Sequence, residues 1–126
     1  MPVKKPTVVI VDDSSTVRLF FERAIAPLDV DLKMFGSAND ALQYLDTHKP
    51  DLLFLDIIMP EKDGLTFLQE LRRLPLHEDT PTVVISSKDY AQDRVAAKEL
   101  GVVEFVAKPM STKVIEELIV RYTASM

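Results

Sequence analysis

Two hydrophobic rhythms alternate along the chain. Short apolar or β-branched runs occupy positions 7–11, 32–35, 52–55, 82–85 and 102–106. Between them the apolar residues recur three and four apart. Val17, Phe20, Phe21, Ala24 and Ile25 form one such set, and Ala38, Ala41, Leu42 and Leu45 another. Leu65, Phe67, Leu68, Leu71 and Leu74 follow, then Val95, Ala96 and Leu100, then Val114, Ile115, Leu118, Ile119 and Tyr122. Spacing of three and four lines one face of a helix, whereas a short continuous apolar run suits a buried strand. The pattern predicts five strands, each followed by a helix.

The punctuation agrees with that division. Ser14 or Ser15, Ser37, and Ser111 or Thr112 stand where a hydroxyl can cap a helix N-terminus. Pro27, Pro50, Pro60, Pro75, Pro81 and Pro109 fall at junctions, where a missing N–H does no harm. Gly64 and Gly101 also sit at boundaries, and the stretch from 75 to 80 reads as an irregular loop. Strand–helix alternation implies an α/β fold, a doubly wound parallel sheet with helices on both faces and right-handed crossovers. The first and third runs are continuously apolar, as strands buried on both faces must be. A ligand site is then expected at the carboxyl ends of the strands, where the strand order reverses.

Composition narrows the classes. At 126 residues, 47% of them hydrophobic, the chain fits one domain over 1–126, with a structured core near 7–122. It has no cysteine, which excludes disulfides and thiolate metal sites. The net charge of −5 argues against direct nucleic-acid binding. No apolar run is long enough to span a bilayer, and the basic start at 1–6 lacks the apolar stretch of a signal peptide. A cytoplasmic location is expected. His48 and His77 lie among polar residues and read as solvated side chains without a catalytic role.

The chemistry gathers at the predicted strand ends. The first strand runs into Asp12 and Asp13, the third into Asp56, the fourth into Ser86 and Ser87, and the fifth into Lys108 and Pro109. Each has a bland reading alone: a helix cap, a loop acid, a turn hydroxyl, a surface lysine. Together, at the ends of four strands, they need a common explanation. Three carboxylates in one crevice repel, and a hard divalent cation offsets that. Mg²⁺ suits oxygen ligands and phosphate together, with Mn²⁺ as a substitute. A lysine supplies a compact positive charge and a serine a hydrogen-bond donor. That set suits phosphoryl transfer to a carboxylate, where positioning and charge neutralisation do most of the work.

Asp12-Asp13, Asp56 followed by Met59-Pro60 and Asp63-Gly64, the hydroxyl of Ser86, and Lys108-Pro109 together resemble the response-regulator receiver domain of two-component signalling. The spacings also match: 43 positions from Asp13 to Asp56, 30 from Asp56 to Ser86 and 52 from Asp56 to Lys108. The resemblance implies a flavodoxin-like (βα)₅ fold with strand order 2-1-3-4-5. It implies Asp56 as phosphoacceptor. Asp13, Asp56 and the backbone carbonyl of Ile58 would be metal ligands, with Asp12 acting through water. Lys108, Ser86 and Ser87 would bind phosphate, and Ser86 with Phe105 would form the switch. Ile58 and Lys88 would tune phosphoryl lifetime, and the Lys108–Pro109 bond would be cis. Ser86 stands where threonine is commoner, and Phe105 where many members have tyrosine.

The resemblance further implies a sensor histidine kinase or phosphotransfer protein as donor, and a downstream protein or output domain as target. A second receiver is an added partner class. The face expected to respond is built from the fourth helix, fifth strand and fifth helix. The chain would be a stand-alone regulator or a receiver excised from a longer one. Three rivals fit less well. A haloacid-dehalogenase-like phosphatase places its two acids two apart, whereas Asp12 and Asp13 are adjacent. A flavodoxin-like FMN carrier needs a hydroxyl- and glycine-rich loop where the two aspartates stand. A phosphate-independent pseudo-receiver usually lacks an acid or the lysine, and all are here.

Overall fold

The structure, a computed structural model, describes residues 5–60 and 62–123. Residues 1–4 of the basic start and 124–126 of the expected single domain lie outside the described part. In chain order the elements are β1 (Thr7–Val11), α1 (Ser15–Ile25), β2 (Asp31–Phe35), α2 (Ala38–Leu45), β3 (Leu52–Asp56), α3 (Gly64–Arg72), β4 (Thr82–Ser86), α4 (Ala91–Glu99), β5 (Glu104–Ala107) and α5 (Thr112–Thr123). The strands form one parallel sheet in the order β2-β1-β3-β4-β5. Both the class and the strand order expected from the sequence are therefore present.

Burial follows strand position. β3 and β4 are buried along their whole length and β1 everywhere but Thr7, while the edge strands β2 and β5 are partly exposed. Side chains alternate across the sheet, so each central strand feeds two cores. Val8, Ile10, Leu52, Phe54, Val83 and Ile85 pack with Phe21 of α1 and Ile115 of α5. Val9, Val11, Leu53 and Leu55 pack with Leu45 of α2 and Phe67 of α3 on the other face. Phe21 meets Phe54 edge-on at 5.0 Å. α4 adds a smaller cluster in which Ala97 joins Ile57, Leu65 and Val84. Among the described residues no helix is long and apolar enough to cross a membrane.

The caps match the sequence reading. Ser14, Ser37 and Ser111 accept hydrogen bonds from Val17, Asp40 and Val114 backbone N–H groups, opening α1, α2 and α5. Four expectations shift. β5 begins at Glu104 rather than Val102, because the end of α4 claims the earlier backbone. Gly101 turns with φ +77, its N–H donates to the Lys98 carbonyl and the Val102 N–H donates to that of Ala97. This helix closure removes Val102 from the ladder. On α4, Val95 is 58% exposed and Ala97 is the buried residue. The buried stripe runs through Ala96, Ala97 and Leu100, and Val95 lies off it. Leu74 lies beyond the end of α3, and Pro75–His77 form a 3₁₀ turn within the stretch expected to be irregular.

His77 departs furthest from expectation. It is fully buried, with Nδ1 hydrogen-bonded to the Thr80 hydroxyl and Nε2 to the Leu45 carbonyl. Burial pushes its pKa below the usual value. Beside it, Arg72 donates to the carbonyls of Leu100, His77 and Thr80 and to the Thr82 hydroxyl. His48 is exposed, as expected, and stacks on Tyr44.

Candidate functional site

The crevice forms where β1, β3, β4 and β5 end. Parallel pairing brings Asp12, Asp56, Ser86 and Lys108 to the same rim. Asp12 is fully buried and every part of it is engaged. Its N–H donates to the Phe35 carbonyl, and its own carbonyl accepts from Arg18. Its carboxylate accepts from the Ser14 N–H at 2.9 Å and from Lys108 Nζ at 2.9 Å. Asp13 is exposed. One carboxylate oxygen each from Asp12, Asp13 and Asp56 lie within 4.8 Å of one another.

Asp56 is 3% exposed. Lys108 Nζ stands 3.4 Å from its Oδ1, and the Ile58 N–H reaches the same oxygen at 3.4 Å. Burial, followed by the charge of Asp12, raises the Asp56 pKa to about 6, against the pull of Lys108 and the Ile58 N–H. For Lys108, burial works against the charge. Its bond to Asp12 and the two carboxylates override this and raise its pKa. One ammonium thus ties two acids from different strands, and it is nearer to Asp12 than to Asp56. The Lys108 N–H donates to the Ser86 carbonyl at 2.7 Å, and the Lys108–Pro109 bond is cis.

Gly64 fixes the height of Asp56. Its N–H donates to the Ile57 carbonyl, and a Cβ there would lie 2.2 Å from the Asp56 carbonyl oxygen. Asp63 caps α3 by accepting from the Leu65 N–H at 3.1 Å. The Asp63-Gly64 pair therefore starts a helix directly against the strand that carries Asp56.

Ser86 is buried, and its hydroxyl both donates and accepts. It donates to the Lys88 carbonyl at 2.7 Å and accepts from the Lys88 N–H at 3.1 Å. Ser87 and Lys88 are exposed in the loop that follows, and Ile58 is 48% exposed beside the crevice. Phe105 is half-buried on β5, against the cluster that holds Ile57 and Val84. The Arg94 guanidinium covers its ring at 4.5 Å.

The donor set fits a hard divalent cation. Three carboxylates converge and two of them are buried, while one lysine offsets only part of their charge. Asp12, Asp13 and Asp56 are the residues that would hold it.

The family model for the response regulator receiver domain matches residues 8–120. This chain is a response regulator receiver domain. The receiver is 41% identical, over 105 residues, to the cyclic di-GMP phosphodiesterase response regulator RpfG of Xanthomonas campestris; the match covers 82% of this chain and 28% of RpfG. It is 29% identical to the ycf27 protein of Cyanophora paradoxa, over 92% of this chain and 47% of that protein. The receiver thus spans less than half the length of these relatives. Among solved structures, a CheY-like receiver from Methanospirillum hungatei superposes with TM-score 0.89 at 16% identity, covering 97% and 96% of the two chains. The receiver of Francisella response regulator 1452 superposes with TM-score 0.81 at 25% identity, covering 95% of each. Switching on phosphorylation is general to the family, whose receiver domains are signalling modules rather than conventional enzymes.

Of the site residues expected from the receiver's sequence, Asp12, Asp13, Asp56, Ser86 and Lys108 gather at this rim and Ile58, Ser87 and Lys88 follow in the adjoining loops, whereas Phe105 sits within β5, paired with Val84. Three features were not anticipated. Gly64 was read only as a boundary, although its place after Asp63 carried a signal. The Ser86–Lys88 bonds, and the contacts of Arg94 on α4 with Asp89 of the preceding loop and with Phe105 of β5, left none, because they depend on the direction of individual side chains.

Proposed function

We propose that this receiver accepts a phosphoryl group on Asp56 from a phosphohistidine of a sensor histidine kinase or phosphotransfer protein. The observation that carries this reading is the buried Asp56 carboxylate, linked through Lys108 to Asp12 and facing Asp13. A carboxylate oxygen of Asp56 attacks phosphorus, the P–N bond to the donor histidine breaks, and an acyl phosphate forms. Lys108 follows the negative charge from the carboxylate to the phosphoryl oxygens. A bound Mg²⁺, or Mn²⁺ in its place, would neutralise charge on the carboxylates and the phosphoryl oxygens. The Ser86 hydroxyl leaves Lys88 to donate to a phosphoryl oxygen, with Ser87 beside it. Hydrolysis by water returns Asp56 and inorganic phosphate, and the side chains of Ile58 and Lys88 at the crevice mouth govern access of that water.

Withdrawal of Ser86 opens space toward Phe105, and the ring turns inward. The surface of α4, β5 and α5 changes with it and meets a downstream protein, an output domain or a second receiver. The phosphate–Ser86 bond exists in one state only, which is what lets phosphorylation shift the population. The test is intact mass after incubation with acetyl phosphate and Mg²⁺. Wild type should gain one phosphoryl group, and Asp56→Asn should gain none. Equal labelling of the variant would remove Asp56 from this role.

A further inference from the structure

The β4–α4 loop links three contacts in series. Ser86 commits both hydrogen-bonding capacities of its hydroxyl to the backbone of Lys88. The next residue, Asp89, grips Arg94 with both carboxylate oxygens, Oδ1 to Nε at 2.5 Å and Oδ2 to Nη2 at 3.0 Å. A two-point grip fixes the plane of the guanidinium as well as its position. That guanidinium stands 4.5 Å from the centroid of Phe105, on the electron-rich face of the ring. Beneath, the ring packs with Ile57, the residue after Asp56, and with Val84. Phe105 carries no hydroxyl to anchor it to solvent or backbone, so the position of its half-buried ring depends on packing and on this cation.

We propose that Arg94, held by Asp89, is a positioning residue that pins the Phe105 ring at rest, and that drawing Ser86 away from Lys88 loosens the pin. The second half rests on the phosphoryl-switch reading above; the first half does not. Asp89 directly follows Lys88 in the chain, so the loop cannot release the Lys88 backbone without disturbing the anchor of Arg94. The pin is electrostatic and lies at the surface, with both charged side chains about half exposed. It therefore weakens with salt. A contact of this strength biases the ring without locking it, which is what a switch with a modest trigger requires.

The ring is read by ¹⁹F NMR on protein carrying 4-fluorophenylalanine at position 105 alone, without Mg²⁺ or a phosphoryl donor. Arg94→Ala and Asp89→Asn should each shift the resonance in the same direction, with the ring population changing about two- to fivefold. The double variant should move no further than Arg94→Ala, since Asp89 acts through Arg94. Arg94→Lys should recover part of the wild-type position. Raising NaCl to ~1 M should move wild type and leave Arg94→Ala in place. An unshifted resonance in Arg94→Ala, or full additivity of the two single changes, overturns the pin. Adding beryllofluoride and Mg²⁺ tests the coupling: the salt dependence of the resonance should vanish in wild type and persist in Ser86→Ala, and its persistence in both overturns the loosening. Mass labelling with acetyl phosphate separates the two readings. Absent labelling of wild type removes the phosphoacceptor reading, while the unliganded ring measurement still decides the pin.

Discussion

Burial and the charge of Asp12 raise the Asp56 pKa from 3.8 to about 6, so the folded protein holds this proton more tightly than the unfolded chain. The native state gains from that proton fully below about pH 4. The gain is lost as pH rises through about 6, and at neutral pH the ionised carboxylate costs up to about 3 kcal/mol. Asp56→Asn removes the charge while keeping the shape. It should melt above wild type at about pH 7.5 in EDTA, and the gap should narrow as pH falls toward 4. Thermal melts across that range decide it, and a gap independent of pH would show that Asp56 is not the strained group. The acids and the lysine were legible in the sequence because each closes a predicted strand, and strand ends in this fold share one rim. His77 was not legible. Its two partners are the Thr80 hydroxyl and the carbonyl of Leu45, 32 positions away, and nothing in the polar residues around it announces that enclosure.

At the level of elements, α3 begins in contact with the strand it follows. The missing side chain of Gly64 makes that approach possible, since a Cβ there would meet backbone atoms of Asp56 and Ile57 at 2.2 and 2.8 Å. Backbone cannot step aside as a flexible side chain can. Gly64→Ala should therefore lower stability by about 1–3 kcal/mol and slow phosphorylation of Asp56 by displacing it. Gly36→Ala is the control. The nearest atoms to its Cβ would be those of the Arg18 guanidinium, Nη1 at 2.9 Å, a side-chain end that can shift where backbone cannot, at the cost of its bond to the Asp12 carbonyl. Urea midpoints of the two variants should separate clearly, and equal midpoints would mean that the strand end yields. Helix existence was readable throughout from apolar spacing, and the capping serines stood where hydroxyls were expected. Boundaries slipped where two elements compete for one backbone, as at Val102, and where a helix carries too few apolar residues to mark its inner face, as on α4.

Across the whole molecule, three central strands carry two independent apolar faces, each closed by its own helices. The alternation of runs was enough to give the class, whereas the order of strands came from resemblance, because periodicity does not say which strand lies beside which. Nothing in the pattern signalled the cluster at the amino ends of the strands, where Arg72 joins the end of α4, the 3₁₀ turn and the start of β4. Arg72→Ala would take the donor from four acceptors, three of them on the buried residues His77, Thr80 and Thr82, and only the Thr80 carbonyl keeps a second partner among these contacts, the Thr82 hydroxyl. It should lower stability by on the order of 3 kcal/mol and Tm by on the order of 10 °C, with labelling of Asp56 preserved well below the melt. Calorimetry and mass labelling on the same sample check both halves, and lost labelling in a still-folded variant would refute the separation. The reactive rim and the Arg72 cluster occupy opposite ends of the same sheet. The exposed side chains of Ile58 and Lys88 can therefore vary without touching the Arg72 contacts at the other end. Selection, or a protein engineer, can retune partner choice at one end while durability is maintained at the other.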